Sequence, residues 1–258
     1  MTVHEFGDKT NPVIMLFPGT MCYWKGNFGG VIDELSKKFY VAVVAYTGFD
    51  EKDTESYVSV GDELNRIEKY INDNYGGKIC AAYGCSLGGT FVAHLAARHN
   101  IHTKYGIIGS SDMDQAGKFK ADMLAGIMVK VTYNFIHTGK YNSKLMQKRF
   151  KNQMDSPDPY NRAFVAMTGR DKYDMSFITK DSLKNQFKSD LITPLPEQID
   201  NGETEIHVFY AKKMGEKYLE RYNKYFKNPI IHEHDMRHEE LLGVYPKEWC
   251  ELVEKICI

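Results

Sequence analysis

Tyr83-Gly84-Cys85-Ser86-Leu87-Gly88-Gly89 is the most informative stretch of the chain. It holds the pattern Gly-x-Ser-x-Gly between an apolar run that ends at Tyr83 and an apolar helical pattern that begins at Leu87. Glycines on both sides of a serine leave room for a sharp turn from a buried strand into a helix. Such a turn lifts the Ser86 hydroxyl clear of the sheet, where the N–H of Leu87 can donate to a developing oxyanion. Ser86 is therefore the predicted nucleophile.

Short apolar runs alternate with longer amphipathic stretches on either side of this turn. Runs without strict alternation are typical of parallel strands that are buried on both faces, with helices in the crossovers. Strands are predicted at residues 13–17, 40–46, 79–83, 105–108, 206–210 and 229–232. Helical spacing predicts helices at residues 31–38, 57–75, 87–99, 217–226 and 246–256. The fold class is therefore α/β, with a mostly parallel central sheet flanked by helices.

One interval, residues 112–204, carries helical patterns but no convincing strand. It is too long for a loop, so it is predicted to be an inserted helical lid, with helices near residues 123–129, 143–154 and 161–168. Residues 1–111 and 205–258 then form the core of a single domain. The lid is rich in Met and aromatic side chains, which either pack it on the core or form a pliable wall for an apolar substrate group.

Composition excludes several classes of protein. The 258 residues include 33 Lys+Arg and 34 Asp+Glu, a net charge of -1, so a nucleic-acid partner is not expected unless basic residues are strongly segregated. We expect neither a signal peptide nor a membrane span. The five cysteines are odd in number and widely spaced, which favours free thiols in a reducing cytoplasm. Cys85 is expected to be a packed thiol that points away from Ser86.

The serine turn, its flanks and the order of elements resemble the α/β-hydrolase superfamily over nearly the whole chain. Pro18-Gly19-Thr20-Met21 follows the first predicted strand, in the place of that family's oxyanion loop, which usually reads His-Gly-x. The resemblance implies that the N–H of Thr20, or alternatively that of Met21, is a second oxyanion donor beside Leu87. Proline in place of the usual histidine leaves this donor intact, because the donor is a backbone group.

The resemblance also implies a general base near the C-terminus, after the last strand. His238 fits, because it follows the predicted strand at 229–232 and precedes a helical pattern. His232 and His234 alternate before it, and His-x-His together with Asp235 suggests a metal site. A third ligand at convincing spacing is missing, so no metal is expected and His238 is the predicted base.

The acid of the expected Ser-His-acid triad is where the sequence departs from the family. The family usually has an aspartate three residues past a glycine that ends the penultimate strand. Here Tyr210-Ala211-Lys212-Lys213-Met214 fills that span, and Met214 stands where the carboxylate is expected. Glu216, two residues further along, is the first substitute, and Asp112, at the end of the preceding strand, is the second. Asp235, a water molecule or no acid at all remain open. The acid affects the rate more than the type of reaction, because it orients and stabilises the histidine.

The expected function is that of a serine hydrolase that cleaves a carboxylic ester or thioester through an acyl-enzyme on Ser86. The expected partner is a small acyl substrate, with no cofactor. The alternative is a non-catalytic protein of the same fold that binds a ligand without turnover, because the usual acid is missing. A lyase or acyltransferase that uses the same Ser86 is a third hypothesis.

Overall fold

The computed structural model describes residues 1–113 and 115–258, and its centre is a seven-stranded sheet. The strands are β1 (Thr2–Phe6), β2 (Val13–Phe17), β3 (Tyr40–Ala45), β4 (Lys78–Gly84), β5 (His102–Ile108), β6 (Glu205–Ala211) and β7 (Ile230–His234). Their order across the sheet is β1-β3-β2-β4-β5-β6-β7, and every pair is parallel except β1 with β3. The α/β class is therefore confirmed, and the carboxyl ends of six strands meet at one edge.

Six strands lie where the sequence predicts them, and β1 is the one it misses. Its residues are partly exposed, because β1 is an edge strand, and polar side chains such as His4 and Glu5 interrupt the apolar pattern. The six residues of β3, by contrast, are all buried between helical layers. The other edge strand, β7, is also partly exposed but was predicted, so the interrupted apolar pattern rather than the edge position hides β1.

Eleven α-helices and one short 3-10 helix, Lys212–Met214, are present in the described part of the chain. The α-helices are α1 (Trp24–Phe28), α2 (Ile32–Leu35), α3 (Val60–Tyr75), α4 (Leu87–Arg98), α5 (Lys118–Thr138), α6 (Lys144–Met154), α7 (Pro159–Thr168), α8 (Lys180–Leu191), α9 (Glu216–Tyr225), α10 (Glu240–Val244) and α11 (Pro246–Cys257). The predicted helix at 31–38 is only the four-residue α2, and its remaining residues form turns. Within the described residues, no helix has the length and hydropathy needed to cross a membrane.

Helix α3 illustrates how the local sequence sets these elements. Val60, Leu64 and Ile67 recur at helical spacing and are buried against the sheet. The Ser59 hydroxyl accepts a hydrogen bond from the N–H of Asp62 and caps the start of the helix. Gly76 ends it in the left-handed region, with φ 62°, where a residue with a Cβ would be strained.

Helices α5 to α8 lie between β5 and β6, and we call this segment the helical insertion. Helix α5 packs on α8, while α7 packs on α1 and α10. Buried side chains of the insertion, including Phe135, Ile136, Leu183 and Phe187, belong to the same hydrophobic cluster as the sheet. Helix α8 is absent from the sequence-based prediction because, in Lys180–Leu191, few apolar residues mark its buried side.

Candidate active site

Ser86 stands on a sharp turn between β4 and α4, with φ 50° and ψ −114°. A non-glycine residue rarely adopts such a conformation, which costs about 1–3 kcal/mol and persists only where the surrounding structure enforces it. Gly84 and Gly88 allow the turn to close. A Cβ on Gly84 would lie 2.1 Å from the backbone of Gly88, and one on Gly88 would lie 2.1 Å from the backbone oxygen of Phe17.

The loop after β2 lies beside this turn, and its two predicted donors differ. The N–H of Met21 donates to Oε1 of Gln186 at 2.6 Å, so it is already engaged. Among residues 1–113 and 115–258, the N–H of Thr20 has no hydrogen-bond partner. Leu87 is the first residue of α4, where the helix supplies no acceptor for its N–H. Leu87 and Thr20 therefore remain available as oxyanion donors, whereas Met21 does not.

Asn27 ties the two loops together, although nothing in its local sequence marks it. Its Oδ1 accepts a hydrogen bond from the N–H of Gly19 at 2.8 Å, and its Nδ2 donates to Sγ of Cys85 at 3.4 Å. The Asn27 side chain is 4% exposed, so both bonds are shielded from water. This contact fixes the distance between the loop that carries Thr20 and the turn that carries Ser86.

A cavity of about 400 Å³ opens above Ser86. Its walls bring together residues from the serine turn, the loop after β2, the helical insertion, α9 and the turn before α10. The lining residues are Gly19, Thr20, Met21, Cys22, Cys85, Ser86, Asp112, Met128, Phe164, Met167, Thr168, Phe187, Asp190, Met214, Tyr218, His238 and Glu239. Ser86, Thr20 and His238, predicted from separate parts of the sequence, thus face one space. Its apolar walls come mostly from the insertion.

His238 lies on the turn between β7 and α10, and it is half-buried. The hydroxyl of Tyr160, from α7, donates to the backbone oxygen of His238 at 2.9 Å. In the part of the chain that the structure describes, no hydrogen bond joins the His238 ring to the Ser86 hydroxyl. Catalytic hydrogen bonds are often long before substrate binds, so this geometry is compatible with a base that moves into reach.

Glu239, next to His238, is a residue that the sequence analysis missed. Its side chain is buried, and its Oε1 accepts hydrogen bonds from the N–H groups of Ser86 at 2.9 Å and Ser110 at 2.8 Å. Its Oε2 accepts a third bond from the Tyr83 hydroxyl at 3.0 Å. Two glutamates at the start of a helix are common, because acidic side chains are favourable near a helix N-terminus. The sequence therefore gives no sign that Glu239 accepts hydrogen bonds from the serine turn. Glu239 joins the histidine turn to the serine turn.

The candidate acids Glu216, Asp235 and Asp112 differ in whether they line the cavity above Ser86. Glu216 is exposed at the first position of α9 and is not among the residues that line the cavity, so the preference for Glu216 is not supported. Asp235 is also exposed, and its carboxylate lies 3.9 Å from Nζ of Lys213. Asp112 does line the cavity, just past β5, and its backbone oxygen accepts a hydrogen bond from Arg221 at 2.6 Å. Met214 lines the cavity where the family's acid is expected.

Two cysteines also line the cavity, but neither is primed as a nucleophile. Burial raises the pKa of Cys22 to about 12 and that of Cys85 well above its ordinary value. The nucleophilic form of cysteine is the thiolate, so both thiols stay protonated and unreactive near neutral pH. The expectation that Cys85 is a packed thiol is confirmed by its 1% exposure.

The histidines near β7 do not assemble a metal site. Nε2 of His232 lies 2.9 Å from Nδ1 of His207, and these two nitrogens share a hydrogen bond. Outside the undescribed residue 114, no group of three His, Cys, Asp or Glu side chains is arranged to hold a metal ion.

The chain is similar to known proteins in structure, whereas the comparisons of its sequence give no match. No protein-family model matches the sequence, and a comparison with curated proteins gives no match. A protein of Desulfitobacterium hafniense assigned to the alpha/beta hydrolase family is similar, with a TM-score of 0.78, 18% identity and 99% of each chain covered. A hydrolase from Pseudomonas aeruginosa has a TM-score of 0.72, 13% identity and coverage of 98% of this chain and 92% of its own. An esterase from a marine microorganism has a TM-score of 0.71, 13% identity and 98% of each chain covered. The chain therefore has the α/β-hydrolase fold.

Proposed function

We propose that this protein is a serine hydrolase that cleaves a carboxylic ester or thioester. The observation that carries the proposal is the strained Ser86, which faces a cavity that His238 and Thr20 also line. A backbone held in this conformation is typical of a nucleophile that must stand clear of the sheet. The fold shared with a protein described as an esterase adds support.

The proposed reaction begins when His238 takes the proton from the Ser86 hydroxyl as its oxygen attacks the substrate carbonyl carbon. The carbonyl oxygen gains negative charge, and the N–H groups of Leu87 and Thr20 donate to it. The tetrahedral intermediate then expels the alcohol or thiol, which leaves with the proton from His238. A water molecule gives a proton to His238 as it attacks the acyl-enzyme, and the Ser86 oxygen then leaves and takes that proton from His238, which releases the acid.

We assign the orienting acid to Asp112 rather than to Glu216. Asp112 lies at the carboxyl end of β5, next to the strand of Ser86, and lines the cavity that His238 lines. A carboxylate there is able to hold the histidine ring and stabilise its charged form. Glu216 is exposed outside the cavity.

The helical insertion is proposed to act as a lid that selects the substrate. Met128, Phe164, Met167 and Phe187 are apolar side chains that the insertion contributes to the cavity wall. Flexible thioether and aromatic side chains adapt to an apolar group without a fixed hydrogen-bond pattern. We therefore expect preference for substrates with an apolar acyl or alkyl group.

The test combines a fluorophosphonate probe with p-nitrophenyl esters of increasing acyl length. The wild type should be labelled at Ser86 and should hydrolyse the esters, and Ser86→Ala should lose both, with kcat falling by a factor of about 10³ or more. Asp112→Asn should lower kcat by about 10²- to 10⁴-fold and Glu216→Gln by less than about twofold. Ser176→Ala, at an exposed serine, is the matched control. Folded protein that is neither labelled nor active would overturn the proposal.

One observation favours the non-catalytic alternative, namely the methionine at the family's usual acid position. A ligand-binding protein of this kind would bind an apolar ester in the cavity without cleaving it, and Ser86→Ala would change affinity only. The ester panel distinguishes the two functions, because only a hydrolase releases p-nitrophenol in proportion to enzyme and time.

A further inference from the structure

Helix α5 of the insertion presents an apolar side to solvent. Phe119, Met123 and Ile127 recur at every fourth residue, so they lie along one side of the helix. They are 84%, 50% and 49% exposed, respectively. The buried residues of α5, such as Ala121 and Ala125, lie on the opposite side and pack against the rest of the protein. Soluble proteins commonly expose single, scattered apolar side chains, whereas here three large ones form a contiguous row.

The same part of the insertion is strongly basic. Residues 118–154, covering α5 and α6, carry a formal charge of +7, whereas the whole chain carries -1. The eight basic residues are all exposed: Lys118, Lys120, Lys130, Lys140, Lys144, Lys148, Arg149 and Lys151. The one acidic residue in this range, Asp122, forms an ion pair with Lys188 at 2.8 Å. Near-neutral overall charge therefore hides a segregated positive region.

Helix α6 lies on the surface of the insertion and extends this region. None of its residues is buried, and Leu145 is 60% exposed between basic neighbours. Ring contacts of Phe150 with Phe135 and Tyr141 attach α6 to the end of α5. We call Phe119, Met123, Ile127, Leu145 and the eight basic residues the basic-apolar face.

We propose that the basic-apolar face docks on an anionic lipid surface. Lysines near an anionic leaflet contribute about 1 kcal/mol each, and exposed apolar side chains gain by entering the boundary between headgroups and acyl chains. A second copy of the chain does not fit, since two faces of charge +7 would repel each other. A nucleic acid would leave Phe119, Met123 and Ile127 in water, so it matches the charge but not the apolar side chains.

The basic-apolar face adjoins the cavity above Ser86. Met128 follows Ile127 directly and Phe164 lies on α7, and both line the cavity while remaining about 40% and 38% exposed. Docking through α5 would therefore bring the mouth of the cavity close to the lipid. The docking itself rests on charge and exposure, and it does not depend on the chemistry proposed for Ser86.

The test is flotation of the full chain with vesicles of phosphatidylcholine, with and without phosphatidylglycerol. The wild type should bind only the anionic vesicles and should dissociate as salt is raised. The double variant Phe119→Ser, Met123→Ser and the double variant Lys144→Glu, Lys148→Glu should each weaken binding by about tenfold or more. Both should keep the wild-type thermal unfolding temperature, which distinguishes lost docking from misfolding whether or not the protein cleaves esters.

Matched controls come from exposed residues outside the insertion. Val58→Ser replaces an apolar residue that is 60% exposed, and Lys227→Glu reverses a charge after α9. Both controls should bind like the wild type. The proposal would be overturned if the wild type did not bind anionic vesicles or bound only polyanions in solution. It would also be overturned if the variants in α5 and α6 bound the vesicles as well as the wild type does.

Discussion

Glu239 joins two turns that approach each other only in the folded protein. Its carboxyl group accepts the N–H of Ser86 and the N–H of Ser110 on one oxygen, and the Tyr83 hydroxyl on the other. These donors are buried or nearly so, and a buried N–H without an acceptor costs about 1–3 kcal/mol. The serine turn thus depends on a side chain that is 153 residues away in sequence.

Glu239→Ala should lower the free energy of unfolding by about 3 kcal/mol, because it leaves two backbone donors without an acceptor. Glu239→Gln retains an acceptor oxygen and should lose less than about half of that value. Urea unfolding of both variants measures the difference, with the exposed Glu220→Ala as the control. Equal destabilisation by Gln and Ala would contradict an accepting role and would point to the charge instead.

The site residues that the sequence predicts are those whose signal is local. Ser86 and Leu87 belong to a strand-turn-helix pattern within a few residues, and His238 belongs to a strand-turn pattern near the end of the chain. Asn27 and Gln186 act through contacts over 58 and 165 residues of separation, and no local pattern encodes such contacts. Glu216 is close in sequence to the family's acid position at Met214, whereas the sheet order brings Asp112 to the cavity.

At the scale of elements, hydrogen bonds and an ion pair join α7 to the turn that carries His238. Arg237 lies in that turn, and its two terminal nitrogens contact the Asp158 carboxylate at 2.5 and 3.0 Å. Asp158 is also the N-cap of α7, and Tyr160 in the same helix bonds the backbone of His238. The Arg237 guanidinium lies 4.0 Å from the centre of the Tyr160 ring. We therefore expect motion of α7 to be coupled to motion of the turn that carries His238.

Asp158→Asn should loosen α7, because asparagine still caps the helix but no longer pairs with Arg237 as a charge. Amide hydrogen exchange in α7 should become several-fold faster at neutral pH, while α3 stays unchanged. Asp122→Asn removes another ion pair of the insertion and is the matched control. Unchanged exchange in α7 would contradict the coupling.

The same ion pair has a defined pH dependence. Arg237 lowers the pKa of Asp158 from its ordinary value to about 2. A carboxylate with a lowered pKa stabilises the folded form fully above its unfolded pKa, about 3.8, and loses this effect as the pH falls toward 2. The contact with α7 should therefore persist from neutral pH down to about pH 4.

At the scale of the whole molecule, the insertion adds little surface. The accessible area is 12015 Å² for 29.6 kDa, against about 11,600 Å² for a compact monomer of this mass. The buried side chains of α5 and α8 share one hydrophobic cluster with β2, β3 and β4. A perturbation inside this cluster should therefore be felt as a change in global unfolding.

His94, a half-buried residue of α4, makes the stability of the protein depend on pH. Burial lowers its pKa from 6.5 to about 4, and within the described residues its buried Nε2 has no hydrogen-bond partner. A histidine with a lowered folded pKa binds fewer protons folded than unfolded between these two values. Its effect on stability is complete above about pH 6.5 and is lost as the pH falls to about 4, a change of at most about 3 kcal/mol.

His94→Gln should flatten this part of the stability profile, because glutamine does not titrate. Denaturant unfolding at several values between pH 7 and pH 4 should show the wild type losing more stability than the variant across the interval. Glu63, whose pKa is raised by burial, contributes a slope of the opposite sign in both proteins, so only their difference isolates His94. His102→Gln, at an exposed histidine, should keep the wild-type slope. Parallel profiles for the wild type and His94→Gln would mean that His94 is protonated in the folded protein as readily as in the unfolded chain.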